Sequence, residues 1–554
     1  MVVFDYLLNI YTVFWGLVFI TDFSFILKKG ISNIAGFSVG LAVLLVLRWL
    51  LDRKTFARIL LMKIKDKIST YSDRKILLAV FLLLALNFTV LSIMRHLSFS
   101  TLSWDMGLFD QALWNTTRGD ILFSSIRGNM SLLGDHFEPI LFLLVPFYAI
   151  CPRVETLLII QAVLLAASVF MLYLIARDKL QSRFLIFAII FSFALSKALR
   201  GVNLSDFHPE ALMVFFSFAA FYCLARGKKL LLILSIALLL MCKENAALIV
   251  FGLGAYAFLA LKKRGEGLVL ALVALAAWFL ETKIILPHFN DFHRYLFIQR
   301  LPFGATYQEN LAHILRNPSD LLRLIFIPDK VAYFVKLTGP LVFMPLLAFP
   351  EYILILASSV TVILAPEAQA GVYQVTSHYA GHLIAFIYIA GIYGAARLIR
   401  PSGRSSRIIA VAIIFASILF FGKTDGYKLN KFIDGAKKNR SFQKLKYLSL
   451  VPKEVSVSAT ANLVPHLSHR KYIYDWRPEG GMPETEYYVI DLDFTGYLNQ
   501  GAQKQIPVFL KKAQAKYREV FSNPEKTFFI FYNPGSDLKK IESYRGNLGL
   551  RFEP

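Results

Sequence analysis

Carboxylates, imidazoles and amines recur in short clusters along a chain that is otherwise strongly apolar. The first cluster, residues 103–115, contains Asp105 and Asp110. A carboxylate that is partly removed from water has a raised pKa and can act as a general base. These two project about 140° apart on a regular helix, so they can serve one site only if the helix begins between them, which Gly107 permits. Capping of a short helix is the alternative role for either carboxylate.

Two more clusters lie at the ends of apolar runs. His136 precedes a short run with two prolines, where an imidazole suits a phosphate or a metal ion; a hydrated helix start is the alternative. Asp206, His208 and Glu210 interrupt two apolar runs. Pro209 suits the first turn of the next helix, which makes capping the alternative role here. Charged groups at a helix junction in lipid are costly, so we interpret this cluster as a binding site.

Lys243 and Glu244 form another charged pair between apolar runs. We interpret Lys243 as a contact for an anionic headgroup that Glu244 orients; an ion pair that only closes a turn is the alternative. Arg300 and His378 complete the candidate binding residues. His378 and His382 have the spacing of metal ligands on one helix face, but no HExxH motif accompanies them. A divalent cation therefore stays open as a cofactor.

The elements that must position these clusters are membrane-spanning helices. Of 554 residues, 56% are hydrophobic and 18% charged, and the mean hydropathy is +0.55. A helix needs about 20 apolar residues to cross a bilayer. An open sheet would leave backbone N–H and C=O groups unpaired in lipid, so these runs predict helices. The apolar runs predict about thirteen crossings, near residues 5–27, 33–51, 76–95, 154–176, 184–200, 210–226, 230–242, 245–261, 266–286, 331–348, 351–365, 378–398 and 407–421. Residues 138–150 are shorter and predict a half-crossing.

Basic residues predict the orientation of these helices. The net charge is +23, but many Lys and Arg residues lie in loops between apolar runs, which argues against a nucleic-acid partner. With residues 138–150 as a half-crossing, these basic loops all lie on one side, which is the cytoplasmic side of a plasma membrane. The N-terminus is then cytoplasmic. The polar clusters lie on the opposite side, in outer loops 96–137, 201–209, 287–330 and 366–377 and in a tight turn at Lys243 and Glu244.

The chain divides into three predicted parts. Residues 1–75 form a transmembrane hairpin with a basic loop, 76–422 a transmembrane domain, and 423–554 an extracytoplasmic domain. In the last part, short runs at 455–459, 472–476, 487–492 and 527–532 predict strands, and 503–521 has helical spacing. The prediction is an all-α polytopic membrane bundle with a small α/β domain. The phosphate-binding GxxxxGK and nucleophile GxSxG motifs are missing, so ATP-driven transport and serine hydrolysis lack their signatures.

Several motifs resemble an archaeal and bacterial membrane family labelled as a domain of unknown function: WDMGLFDQALWN, GDHFEPI, NLSDFHPEAL, CKENAAL and SHYAGH. The order of an acidic outer loop, a proline-containing re-entrant stretch and a second outer acidic residue also resembles the GT-C class of glycosyltransferases. That resemblance implies a GT-C-like fold, membrane lipids as surroundings and a polyprenyl-phosphate-linked sugar as donor. The acceptor stays unidentified.

The GT-C resemblance also implies residue roles. Asp110, preferred over Asp105, matches the base that deprotonates the acceptor, and sugar transfer then inverts the anomeric carbon. Asp206 matches the second acidic residue. Where the class has a basic residue for the donor phosphate, this chain has His136, and Lys243 and Arg300 are substitutes by chemistry alone. Two other functions stay open: a transporter or flippase for an anionic lipid or solute, and a non-enzymatic envelope assembly protein.

Overall fold

The computed structural model describes residues 71–545 apart from residues 292, 294, 296–300, 400–403, 422–424, 439, 496, 497 and 499. The predicted crossings at 5–27 and 33–51 and the candidate residue Arg300 lie outside the described residues.

Helices make up most of the described chain before residue 449. Their bounds are α1 Asp73–Leu97, α2 Leu108–Thr116, α3 Ile140–Ile150, α4 Val154–Lys179, α5 Arg183–Ala194, α6 Lys197–Asn203, α7 Pro209–Arg226, α8 Lys229–Leu240, α9 Ala246–Leu259, α10 Arg264–Phe279, α11 Leu286–Phe289, α12 Tyr307–Arg316, α13 Pro318–Ile325, α14 Pro328–Thr338, α15 Tyr352–Leu364, α16 Gly381–Leu398, α17 Arg404–Phe421, α18 Asp425–Lys438 and α19 Ser441–Leu448. A short hairpin of β1 Phe123–Ser124 and β2 Met130–Ser131 lies in the first outer loop.

Five helical segments of the described chain are long and apolar enough to cross a membrane. They are α1, α4, α7, the segment Arg264–Phe289 and the segment His378–Leu398. Helices α5 and α6, bent by 42° at their junction, can form a sixth span. Shorter apolar helices occupy other predicted runs, namely α3, α8, α9, α15 and Ser405–Phe421. The chain is a mostly helical membrane protein, whereas thirteen crossings and their orientation stay predictions.

The predicted continuous helix over residues 331–348 is wrong. Helix α14 ends at Thr338, and two 3₁₀ turns, Gly339–Leu341 and Met344–Leu347, follow it. Pro340 has no N–H to continue a helix, and Val342 and Phe343 have positive φ values of 53° and 56°. Helix α16 packs against the second turn so closely that a Cβ on Gly394 would lie 1.9 Å from the Met344 carbonyl oxygen.

The first outer loop contains a helix, and this helix is buried within the protein. A π-helical turn, Ser103–Gly107, runs directly into α2, whose residues 108–115 are all buried. A Cβ on Gly107 would lie 2.8 Å from a Val464 side-chain carbon, so the chain beyond residue 448 packs directly on this turn. Gln111 donates hydrogen bonds to the carbonyls of Arg470 and Lys471 at 3.1 and 2.9 Å. These contacts give the buried Gln111 side chain its hydrogen-bond partners.

Residues 449–545 form a five-stranded mixed sheet with helices. Its elements are β3 Val457–Ala459, α20 Val464–Leu467, β4 Ile473–Asp475, β5 Tyr487–Asp491, α21 Gln500–Lys516, β6 Arg518–Ser522, β7 Phe528–Tyr532 and α22 Leu538–Glu542. The strand order is β4-β3-β5-β7-β6; β3 is parallel to both neighbours, and β7 is antiparallel to both of its own. The four predicted strands are present. The predicted helix over 503–521 starts earlier and ends at Lys516, because residues 518–522 pair with β7 as a strand.

One hydrophobic core joins this sheet to the first outer loop. Met106 and Phe109 of the loop share a buried cluster with Val464, Val489 and Ile530. The loop with the first pair of carboxylates is thereby held between the helix bundle and the sheet. That the sheet is a separate extracytoplasmic domain stays a prediction.

Candidate active site

Asp105 lies on the π-helical turn Ser103–Gly107, with its carboxylate partly open to water. Its side chain is 43% exposed, and Oδ1 lies 3.3 Å from Nε2 of His208, which is only 5% exposed. Surrounding protein acts to raise the pKa of Asp105, but the nearby imidazoles of His208 and His378 outweigh it and hold this pKa below its usual value. The structure therefore places an ionised and accessible carboxylate beside a buried imidazole.

The loop before α7 is fixed by a side chain of α4. Gln161 accepts a hydrogen bond from the backbone N–H of His208 at 2.9 Å and donates one to the carbonyl of Asp206 at 2.9 Å. Asp206 is in the left-handed region, with φ at 61°. Its carboxylate is ion-paired with Arg95 and accepts a hydrogen bond from the backbone N–H of Leu102 at 3.1 Å. Asp206 thus ties the second outer loop to the start of the first.

A row of buried charges continues from His208 across the starts of four helices, α7, α16, α9 and α3. The ring of His208 stacks on that of His378, with centroids 3.8 Å apart and planes at 14°. Nε2 of His378 lies 3.9 Å from Oε1 of Glu210, which is completely buried. Glu210 is ion-paired with Lys243, whose ammonium lies 3.7 Å from Oε1 of Glu138. These clusters therefore meet at one end of the bundle, although Glu138 and His378 are 240 residues apart in the sequence.

Glu244 links this row to the stretch before α3. Its carboxylate oxygens contact Nδ1 of His136 at 2.8 Å, the backbone N–H of Phe137 at 3.1 Å and the hydroxyl of Tyr295 at 3.0 Å. Burial acts to raise the pKa of Glu244, but His136 and Lys243 outweigh burial and lower it to about 2. Glu244 is accordingly an anion at physiological pH that holds His136 in place.

Asp110 lies apart from the row of charges. It is completely buried, and its carboxylate accepts hydrogen bonds from the hydroxyls of Tyr148 at 2.7 Å and Ser468 at 2.5 Å. Nε2 of His469 lies 3.1 Å from Oδ2. Asp105 and Asp110 do not face one site. Helix α2 begins between them, at Leu108, but the π-helical turn Ser103–Gly107 continues directly into it, so both residues stand on one continuous helical stretch. Asp110 instead joins the first outer loop to α3 and to the chain that follows α20.

The predicted site residues therefore fall into three groups. The row of contacts contains Asp105, His208, His378, Glu210, Lys243, Glu244 and His136. Asp110 and Asp206 make separate contacts, and Arg300 lies outside the described residues. Within the ranges that the structure describes, no group of three or more His, Cys, Asp or Glu side chains is arranged to hold a metal ion.

Two arginines beside Trp104, the residue that precedes Asp105, were missed from the sequence. The guanidinium of Arg127 lies 5.3 Å and that of Arg477 5.9 Å from the ring centre of Trp104, the residue before Asp105. Arg127 also pairs with Asp135 at 2.5 Å. The position of Arg127 in the first outer loop was a usable signal, whereas Arg477 is far away in sequence and reaches this place only through the fold.

Comparisons with known proteins support the conclusion that the chain is a membrane protein. Residues 95–520 match the model of a predicted membrane protein family, DUF2079. No curated protein matches the chain in sequence. One similar solved structure is ArnT from Cupriavidus metallidurans bound to undecaprenyl phosphate, at 12% identity and a TM-score of 0.48, covering 83% of this chain and 98% of that one. Another is the Archaeoglobus fulgidus oligosaccharyltransferase in the apo form, at 13% identity and a TM-score of 0.45, covering 83% of this chain and 75% of that one.

The family match confirms the resemblance that the sequence motifs carry. It includes the first outer loop, the row of buried charges, the whole of strands β3, β4 and β5 and the first residues of β6. Because the match extends over most of its length, the chain belongs to the DUF2079 family of predicted membrane proteins.

Proposed function

We propose that this protein is a membrane glycosyltransferase that moves a sugar from a polyprenyl-phosphate-linked donor to an acceptor hydroxyl. The observation that carries the proposal is the ionised, half-exposed carboxylate of Asp105, which His208 contacts at 3.3 Å at the edge of an apolar helix bundle. A base that removes a proton from an acceptor needs this combination of access and fixed orientation. The bundle beside it gives a lipid-linked substrate an apolar surface.

In the proposed reaction, Asp105 accepts the proton of the acceptor hydroxyl. The hydroxyl oxygen bonds to the anomeric carbon of the donor sugar as the bond from that carbon to the phosphate oxygen breaks. The products are an inverted glycoside and the polyprenyl phosphate. Asp105 replaces Asp110 as our preferred base, because Asp110 is fully buried and its oxygens are held by Tyr148 and Ser468.

We assign the leaving phosphate to the arginines beside Trp104. Arg127 and Arg477 flank this ring next to Asp105, and guanidinium groups suit phosphate oxygens in geometry and charge. Lys243 is a weaker choice, since it is buried and ion-paired with Glu210, whereas Arg477 is exposed. His208 and His378 then lie closest to the reacting groups. Glu210, Lys243, Glu244 and His136 hold the helix starts that present them, and Asp206 positions the loop.

The test is sugar transfer by the purified full chain in lipid vesicles that contain polyprenyl-phosphate sugars. Asp105→Asn keeps the size of the side chain but removes the base, so transfer should fall at least ~100-fold. Asp120→Asn is the matched control: this carboxylate lies in the same loop, is 38% exposed and pairs with Lys471 at 3.1 Å. The control should transfer sugar at the rate of the unmodified protein. Equal rates for the two variants would show that Asp105 is not the base.

A further inference from the structure

A pocket of about 350 Å³ lies in the sheet region, outside the site described above. Its walls are residues at the ends of β4 and β5, one face of α21 and the connection 477–484. This volume lies in the range of pockets that hold one small molecule or one ring of a larger ligand. Gly480 and Gly481 in the connection have φ values of 89° and 84°, a backbone shape that favours glycine.

Aromatic rings line one side of this pocket. Trp476 is 1% exposed, and its ring meets that of Phe509 edge to face, with centroids 5.2 Å apart. Tyr488 and Tyr517 stack with centroids 5.1 Å apart and planes at 11°. All four rings belong to or pack against one hydrophobic cluster, so the surface that they present is rigid. A rigid aromatic surface binds a flat apolar face at little entropic cost.

The pocket also has polar groups without hydrogen-bond partners among the described residues. The indole Nε1 of Trp476 is buried and has no hydrogen-bond acceptor among the described residues. The side chains of Arg477 and Lys512 make neither an ion pair nor a hydrogen bond within the described part of the chain. Glu484, by contrast, is held by Lys516 at 2.8 Å. A buried N–H without a partner is unfavourable, and a ligand hydroxyl is a suitable acceptor.

The end of strand β4 connects the pocket to the turn that carries Asp105. Asp475 accepts a hydrogen bond from the Trp104 indole at 3.2 Å, while the next residue, Trp476, lines the pocket. Arg477 lies over the Trp104 ring and also lines the pocket. A ligand in the pocket would therefore lie against residues that contact the turn carrying Asp105.

We propose that this pocket binds a pyranose ring of a saccharide acceptor. A pyranose has an apolar C–H face and a rim of hydroxyls, which match the aromatic rings and the polar groups of Trp476, Arg477 and Lys512 that line the same pocket. This assignment rests on the proposed glycosyltransferase function, and it names the acceptor class that the sequence leaves unidentified. An apolar peptide side chain would leave the Trp476 N–H without an acceptor and would accept no hydrogen bond from Arg477 or Lys512.

The test measures sugar binding without any donor. Methyl glucopyranoside, methyl N-acetylglucosaminide and maltose are titrated into the full chain in detergent, and binding is followed by saturation-transfer NMR. Val508 lines the pocket and is 61% exposed, so Val508→Trp should fill the opening without disturbing the core. Gln514→Trp, exposed on the same helix and outside the pocket, is the matched control.

Binding of at least one of these sugars is expected, with affinity at least ~10-fold weaker in Val508→Trp and unchanged in Gln514→Trp. Trp476→Phe keeps an aromatic ring but removes the N–H, and it should also weaken binding. The pocket assignment is overturned if none of the sugars binds, or if the two Trp variants bind sugar equally well. Because no donor is present, this result is independent of the Asp105→Asn transfer assay, and either proposal can fail alone.

Discussion

Removing the Lys243 ammonium should strongly destabilise the protein. Burial acts to lower the pKa of Lys243, but Glu210 and Glu138 outweigh burial and raise it, so Lys243 is charged in the folded state. Glu210 is completely buried and the Lys243 side chain is only 9% exposed. Lys243→Met leaves Glu210 as a buried anion without its cation. Loss of one partner from a buried pair costs roughly 3–5 kcal/mol.

The compensating variant separates this charge effect from a packing effect. Lys243→Met combined with Glu210→Gln removes both charges, and it should recover at least half of the lost free energy of unfolding, since a neutral pair of similar volume avoids the desolvation penalty. Unfolding by SDS titration in mixed micelles measures each variant. Lys229→Met, at the exposed first residue of α8, is the control and should cost less than about 0.5 kcal/mol.

The reasoning is refuted if Lys243→Met unfolds like the Lys229→Met control. It is also refuted if the double variant is no more stable than Lys243→Met alone, because the cost would then come from lost packing and not from the unpaired Glu210 carboxylate.

Two further predictions concern other parts of the fold. Burial raises the pKa of Asp475 from 3.8 to about 6 against the opposing charge of Arg477, so the folded state binds this proton more tightly and stability falls as the pH rises from about 4 to 6. Asp475→Asn should abolish that slope and increase the free energy of unfolding at pH 7.5 by up to about 3 kcal/mol, which denaturation curves at several pH values would show; an unchanged slope would contradict it. Gly201→Ala should lower the free energy of unfolding by roughly 1–3 kcal/mol, because its Cβ would lie 2.4 Å from the Cα of Thr376. Gly371→Ala, with nothing within 4 Å of the added Cβ, is its control in the same thermal-unfolding assay, and equal losses would refute the packing argument.

Long apolar runs predicted the positions of several helices, because a bilayer imposes one length and one polarity on each spanning helix. The run at 154–176 corresponds to Val154–Lys179, and the short run at 138–150 to Ile140–Ile150. The prediction of one helix over residues 331–348 was wrong because hydropathy does not report backbone conformation. There Gly339 and Pro340 end the helix within an apolar sequence.

The sequence located most of the candidate site because charged groups inside apolar runs need partners. Asp105, His208 and Lys243 were each recognisable on that basis, and the fold brings their clusters together. The preference for Asp110 came from polar neighbours in sequence. Its actual partner Ser468 is 358 residues away, and only the fold shows that this contact buries the carboxylate.

The most direct test of the proposed function follows both products of one turnover. A polyprenyl-phosphate donor of known anomeric configuration, labelled in the sugar and in the lipid, is given to the purified protein in vesicles with a saccharide acceptor. The account predicts one released polyprenyl phosphate for each sugar transferred, with the opposite anomeric configuration in the glycoside. A retained configuration, or movement of the intact labelled donor across the bilayer without release of polyprenyl phosphate, would contradict it.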